Sequence, residues 1–257
     1  MSGLVRIQAA RDGAWRRVQL NAHPGNLLSL DLVRALGSAL HELESTPGIK
    51  WLTVEGAGDD FSFGAKIQEH EPEMMATVLP ETHRVIRQLW SFPAPTAALV
   101  AGRCLGGGFE LALSCDDILA TDSATFGLPE IRLAAFPPVA AAVLPLRVGA
   151  SRATRAIVTG QQQSAGYWHD AGLLSIVAPT ASLVEAAGNW FDTHLSPHSA
   201  TALSHGVAAA RLTLRAQAEP ALDKAERDYL AGLLKTHDAV EGVQAWIDKR
   251  APNWKNS

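Results

Sequence analysis

Apolar and polar residues alternate along VRIQAA and again along AWRRVQLNA, with RDG between them, so the chain opens on a predicted β-hairpin. HPGN then breaks the pattern. Beyond it the period changes from two to helical. Ser29 is placed to cap a helix whose apolar face is Leu32, Val33, Leu36, Leu40 and Leu43. IKWLTVEG reads as a buried strand, AGDDFSFGAK as a loop, and a second helical stripe runs through Val78, Leu79, Val85, Ile86 and Leu89. PTAALVAG is a short apolar strand. It leads to three consecutive glycines, Gly106 to Gly108, and then to the helical FELALSCD. DILATD and ATFGLPEIRL predict further strands, and PVAAAVLPLRVG a helix broken at Pro145. Strands alternating with helices indicate α/β architecture with parallel strands.

From about residue 181 onward the strand pattern stops, and three long runs are helical throughout. Two parts are therefore expected: residues 1–180, carrying the strands and the chemistry, and a helical region, residues 181–257. The alanine-rich surface of the helical region suggests close packing between subunits.

Composition narrows the choice of function. A net charge of −4 over 257 residues argues against a nucleic-acid partner. No apolar run approaches the roughly 18 residues of a membrane span, and the N-terminus has no apolar leader core. A cytoplasmic location is expected. Two cysteines, Cys104 and Cys115, are too few for a disulfide framework, and no Cys-x-x-Cys pair points to zinc. No metal or redox cofactor is expected.

Candidate chemistry centres on CLGGGFELALSCDD. A strand passing through glycines into a helix leaves backbone N–H groups without acceptors, and the helix dipole adds positive charge there. The spacing is neither G-x-G-x-x-G nor that of a P-loop. A tight packing turn and an oxyanion hole both remain open readings of the triplet taken alone. Three neighbours favour the second. Glu110 follows Gly107 at helical spacing, Glu130 ends FGLPE, and FSFGAK supplies a second small-residue turn at Ala65. Paired amides and paired carboxylates are the parts needed to polarise a carbonyl and move protons beside it.

With those stretches in view, the chain resembles the enoyl-CoA hydratase (crotonase) superfamily over nearly its whole length. The likeness is carried by FSFGAKIQEH, GRCLGGGFELALSCDDILATDSATFGLPEIRL, GASRATRAIVTGQQQSAGYWHDAGLLSIV and HDAVEGVQAWIDKRAPNW. It implies a spiral of β-β-α units with a C-terminal helical trimerisation region, in a homotrimer or a hexamer of paired trimers. It implies oxyanion donors at the amides of Ala65 and Gly107, and proton-transferring acids at Glu110 and Glu130, both of which hydratases retain. Coenzyme A, as part of an acyl-CoA thioester substrate, would lie along Pro24, Gly25 and Asn26 and along Ser62, Gly64 and Ile67. Many relatives have a lysine where this chain has Pro24, so Lys249 is a candidate phosphate contact, as well as a candidate solvated charge.

After Glu130 the chain departs from linear-chain hydratases. Phe136 and two prolines stand where small glycines are usual. Within the superfamily this is similar to hydratases of a conjugated cyclic dienoyl-CoA in anaerobic aromatic-ring breakdown, with Phe136, Leu128 and Trp90 as candidate walls. His70 is read as a loop residue rather than a catalyst. Hydration of linear 2-enoyl-CoA, hydrolysis of a related ring thioester, and a non-catalytic CoA-binding role are the alternatives.

Overall fold

The computed structural model describes residues 3–257. The hairpin forms as expected: β1 (Val5–Ala10) pairs antiparallel with β2 (Trp15–Leu20) across the RDG turn. Ser29 Oγ accepts the Leu32 N–H at 3.3 Å and starts α1 (Leu30–Glu44), whose five predicted apolar positions are all buried. β3 (Trp51–Gly56), α2 (Pro72–Ser91) and β4 (Thr96–Val100) follow. Next come β5 (Arg103–Leu105), α3 (Gly107–Leu113), β6 (Asp117–Thr121) and β7 (Thr125–Gly127). α4 (Pro138–Val148), α5 (Ala150–Thr159), β8 (Gln163–Ser164), α6 (Ala165–Asp170) and β9 (Ile176–Ala178) complete the mixed part. After β9 the chain is helical: α7 (Leu183–His194), α8 (Ala200–Ala231) and α9 (His237–Ile247).

The strands form two walls. A six-stranded sheet runs β1-β2-β3-β4-β6-β9, parallel throughout except for the hairpin, and a three-stranded sheet runs β5-β7-β8. In β4-β5-α3 and in β6-β7-α4, the first strand joins the large sheet, the second joins the small one, and a helix follows. This is the expected β-β-α spiral. Single bridges, Ser62 to Cys104 and Leu28 to Ala65, extend the small wall outward from β5.

Both faces of the large sheet are covered, and strand alternation decides which side chain goes where. Leu52, Val54, Ala98, Val100, Ile118 and Ala120 enter the main core. Their neighbours Trp51, Ala97, Leu99 and Leu119 face α7, where Trp15, Trp51 and Phe191 pack with ring centroids 5.1–6.1 Å apart. Two polar pairs bridge neighbouring strands: Trp15 Nε1 donates to Thr53 Oγ1 at 2.9 Å, and Arg17 Nη2 donates to both oxygens of Glu55. Arg211 on α8 pairs with Asp116 and donates to the carbonyls of Phe92 and Ala94, tying the helical region to the end of α2.

The helix break expected at Pro145 does not occur, and a second internal proline, Pro220, is also accommodated. α4 runs through Pro145 to Gly149, which has a φ of +81°, and α8 runs through Pro220 for 32 residues. A proline removes one helical hydrogen bond. Ala218 and Leu222 are fully buried on either side of Pro220, and that packing holds α8 together. The real interruption is at Gly232, after which Thr236 Oγ1 caps α9 by accepting the Ala239 N–H.

Candidate active site

The glycine triplet has three separable jobs. Gly106 adopts φ +51°, and a Cβ there would sit 2.7 Å from Glu130 Oε1. That position needs glycine for conformation and for close approach. A Cβ on Gly108 would collide with Ser62 at 2.6 Å, so the third glycine packs α3 against the Ser62 strand. Gly107 has no such constraint: its Cβ would meet Leu28 and the Ala65 amide at 3.4–3.5 Å. It is the first residue of α3, so its N–H has no intrahelical acceptor. Across from it Gly64, at φ +92°, turns the chain so that Ala65 faces the same space. Neither the Ala65 nor the Gly107 amide donates to a protein acceptor among the described residues.

Glu110 lies one turn into α3 and is buried. Its Oε1 accepts the N–H groups of Val139 and Ala140, at 2.8 and 3.0 Å. These are the free donors of the first turn of α4, whose own N-cap, Pro137, supplies no side-chain acceptor. Glu110 therefore caps a helix 28 residues away in sequence and leaves its second oxygen free. Glu130 sits in the 3-10 turn Pro129–Leu133 after β7, and its buried Oε2 has no partner.

Burial pushes the Glu110 carboxyl up to about 7, against the pull of the two α4 amides, which favour the anion. Burial, reinforced by the charge of Glu110, pushes Glu130 further, to about 8. The two carboxyls titrate as a coupled pair near neutrality; the α4 amides favour the anion on Glu110, which makes Glu110 the stronger candidate for a base and Glu130 for the acid.

Glu110, Glu130, Ala65 and Gly107 all line one inner chamber of about 60 Å³. Phe136 forms part of its wall, as expected from the sequence. An outer chamber of about 280 Å³, bounded by Phe63, Ile67, Arg132, Leu133 and Trp246, meets it at Ala65, Glu130 and His70. His70 thus stands at the elbow between the chambers. Its Nδ1 lies 3.3 Å from the Lys66 carbonyl, and burial lowers its pKa.

Most of the other predicted contacts lie away from the two chambers. Asn26 is wholly buried: its Nδ2 donates to the carbonyls of Ala57, Asp60 and Phe61 at 3.0–3.1 Å, and its Oδ1 accepts the Ala22 N–H. Ser62 is equally buried, donating to the Asn26 carbonyl and accepting the Gly64 N–H. Both clamp the loop with their side-chain polar atoms. Gly25 packs under the Phe63 ring, where a Cβ would come within 2.4 Å. Pro24 is exposed and lines neither chamber. Lys249, at φ +54° beyond α9, is also exposed and outside both chambers. Leu128 and Trp90 belong to the main core rather than to the acyl wall. Gly64 and Ile67 do line the outer chamber.

Sequence reasoning missed Arg132, a cation on the outer chamber, and Trp246 and Tyr229, which reach the chambers from the helical region. No local pattern marks them. Arg132 stands two residues after Glu130 in the same turn, whereas Tyr229 and Trp246 arrive through packing between segments about 100 residues apart.

A family model described as Enoyl-CoA hydratase/isomerase matches residues 14–257. The chain belongs to the enoyl-CoA hydratase/isomerase family. This enoyl-CoA hydratase/isomerase family member is 35% identical over 255 residues to the cyclohexa-1,5-dienecarbonyl-CoA hydratase of Thauera aromatica, covering 99% of this chain and 98% of the relative. It is 33% identical to the 2,3-dehydroadipyl-CoA hydratase of Escherichia coli, covering 90% of each. An enoyl-CoA hydratase structure from Mycobacterium avium subsp. paratuberculosis superposes with a TM-score of 0.85 at 27% identity, covering 98% of each chain. The fold is the crotonase fold, and the chain is a hydro-lyase of the enoyl-CoA hydratase type whose substrate class is acyl-CoA thioesters. No described helix is long and apolar enough to cross a membrane.

Proposed function

We propose that this hydratase adds water across a conjugated cyclic dienoyl-CoA thioester by 1,4-addition. The observation that carries the hydration step is the buried, unequal carboxyl pair in one chamber: Glu110 is favoured as the anion by the α4 amides, and Glu130 is favoured as the acid by burial beside it. The aromatic wall of Phe136 and Tyr229, together with the similarity to the Thauera aromatica hydratase, favours a ring as the acyl group.

In this reading the thioester oxygen accepts hydrogen bonds from the Ala65 and Gly107 amides. Glu110 takes a proton from water as the water oxygen bonds to the β-carbon, and the displaced electrons move through the conjugated system onto the thioester oxygen. The resulting dienolate is stabilised by the two amides, each worth about 2.7–4 kcal/mol in comparable oxyanion holes. Its negative charge also reaches the far carbon of the second double bond. The Glu130 proton bonds there as the electrons return from oxygen, giving the hydroxycyclohexene thioester. The proton on Glu110 then passes to Glu130 through water and restores the starting pair. The reaction needs no cofactor beyond these groups and water.

Initial rates with cyclohexa-1,5-diene-1-carbonyl-CoA and with crotonyl-CoA test the reading. We expect kcat/KM at least tenfold higher for the ring. Preference for the linear thioester would overturn the ring assignment, and hydration of neither would overturn the hydratase assignment.

The same chemistry predicts a bell-shaped pH dependence of kcat/KM centred between about 7 and 8. Below this window both carboxyls are protonated and the base is lost. Above it both are ionised and the acid is lost. Rates fall about tenfold per pH unit on each limb, measured in constant-ionic-strength buffers.

For assembly we propose a homotrimer or a hexamer in the cytoplasm. Exposed apolar side chains at Val158 and Leu212 support self-association, which sedimentation velocity would measure directly.

A further inference from the structure

The inner chamber holds a polar side chain that the reaction above leaves without a part. Tyr229, near the C-terminal end of α8, is 3% exposed and lines the chamber together with Glu110 and Glu130. Its ring meets Phe136 edge-on, with centroids 5.3 Å apart at 64°, so packing fixes the phenol. The helix beneath it is fixed as well. Three residues earlier, Glu226 pairs with buried His83 of α2 at 2.5 Å, and Asp223 pairs with Arg87 of the same helix. α2 in turn supplies Val78 and Leu79 to the chamber wall.

The Tyr229 hydroxyl makes no hydrogen bond to the protein among the described residues, whereas the other polar side chains on the chamber from α2 and its lead-in have partners. Thr82 Oγ1 donates to the Val78 carbonyl at 2.8 Å, and His70 Nδ1 lies against the Lys66 carbonyl. A phenylalanine at 229 would make the same edge contact to Phe136, so packing alone does not call for the hydroxyl. The hydroxyl has its hydrogen-bonding capacity open to the chamber, which it shares with the unpartnered Glu130 Oε2. Burial beside Glu130 and Glu110 holds the phenol above its ordinary pKa, so it stays protonated across the working range and exchanges no proton with the substrate.

We propose that Tyr229 is a third catalytic contact, one that orients the attacking water. Its oxygen accepts the water hydrogen that Glu110 does not remove, which leaves a water lone pair aimed at the β-carbon. Its own hydrogen is directed to Glu130 Oε2. In the reverse direction the same oxygen holds the ring hydroxyl that departs as water. The inference rests on the hydratase reading above.

The test is Tyr229→Phe, which keeps the ring and removes one oxygen. On the thioester that wild type hydrates best, kcat should fall 10- to 100-fold. KM, and the Kd of the saturated cyclohexane-1-carbonyl-CoA, which has no double bond to hydrate, should stay within about threefold. Tm should be unchanged or slightly higher. Wild-type kcat in Tyr229→Phe, on a substrate whose hydration Glu110→Gln abolishes, would overturn the inference and leave the hydratase reading intact. A loss of kcat accompanied by a lower Tm would also overturn it, assigning the hydroxyl to folding. Absence of hydration by wild type on both ring and linear thioesters would instead remove the reading on which it stands.

Discussion

Glu130→Gln should lower kcat for hydration at least a thousandfold while leaving thioester affinity within a few fold. The carboxyl is the donor that completes the addition. Glutamine has nearly the same shape and retains an oxygen at Oε1, but it has no proton of suitable acidity to give. General acid–base groups contribute about 10²–10⁴-fold each, and here the dienolate has no alternative donor of matched pKa in the chamber. Glu110→Gln should be equally damaging to kcat, since an amide oxygen can still accept the Val139 and Ala140 N–H groups but cannot remove a proton from water. Product formation followed by chromatography, with binding measured on an unreactive analogue, separates the two effects. Wild-type turnover in either variant would end the proton-transfer assignment.

The same substitution carries a signature in stability. Glu130 titrates near 4.5 when unfolded and near 8 when folded, so the folded protein keeps a proton that the unfolded chain releases. The raised carboxyl favours the folded state below about pH 4.5, and that contribution is lost as pH rises toward 8. Glutamine cannot ionise. Glu130→Gln should therefore melt a few degrees above wild type at pH 8, and the gap should close toward pH 5. Activity and stability move in opposite directions, as expected where a site is held in a costly state for its chemistry.

The second large effect is expected at Gly64. Alanine there would place Cβ 2.7 Å from the Leu105 carbonyl oxygen and 3.3 Å from the Gly107 nitrogen, at a φ of +92° that side chains rarely adopt. The turn would have to shift, and the Ala65 amide would move with it. Loss of one well-placed oxyanion donor costs about 10²–10³ in kcat. Gly64→Ala should show a fall of that size, with a lower Tm from the strain. Gly206→Ala, on an open stretch of α8 with nothing within 4 Å, is the control and should change neither. A Gly64→Ala enzyme with full kcat would show that the Ala65 amide is not used.

Much of this arrangement was readable from residues in order. Alternation placed β2, short apolar runs placed β3 and β4, the Ser29 cap and its apolar stripe placed α1, and the glycine triplet with its two carboxylates placed the chemistry. What escaped has definite causes. β5, β8 and β9 are two or three residues long, too short for any period to show. Pro145 looked like a break because the sequence displays the lost N–H and not the packing that offsets it. Asn26 and Ser62 lie beside a loop where a ligand was expected, yet their polar atoms are consumed inside the protein. Tyr229 was invisible because its meaning depends on Phe136 and the two glutamates, which come from distant parts of the chain.

The double duty of Glu110 has an evolutionary corollary. One of its oxygens anchors the start of α4 and, through it, the Phe136–Pro138 bend that shapes the acyl side of the pocket. A lineage that discarded this carboxylate would lose proton abstraction and would also leave two main-chain donors stranded in the interior, at a cost of about 1 kcal/mol or more. Loss of the Glu110 carboxylate therefore costs structure as well as chemistry, whereas the free oxygen of Glu130 anchors nothing.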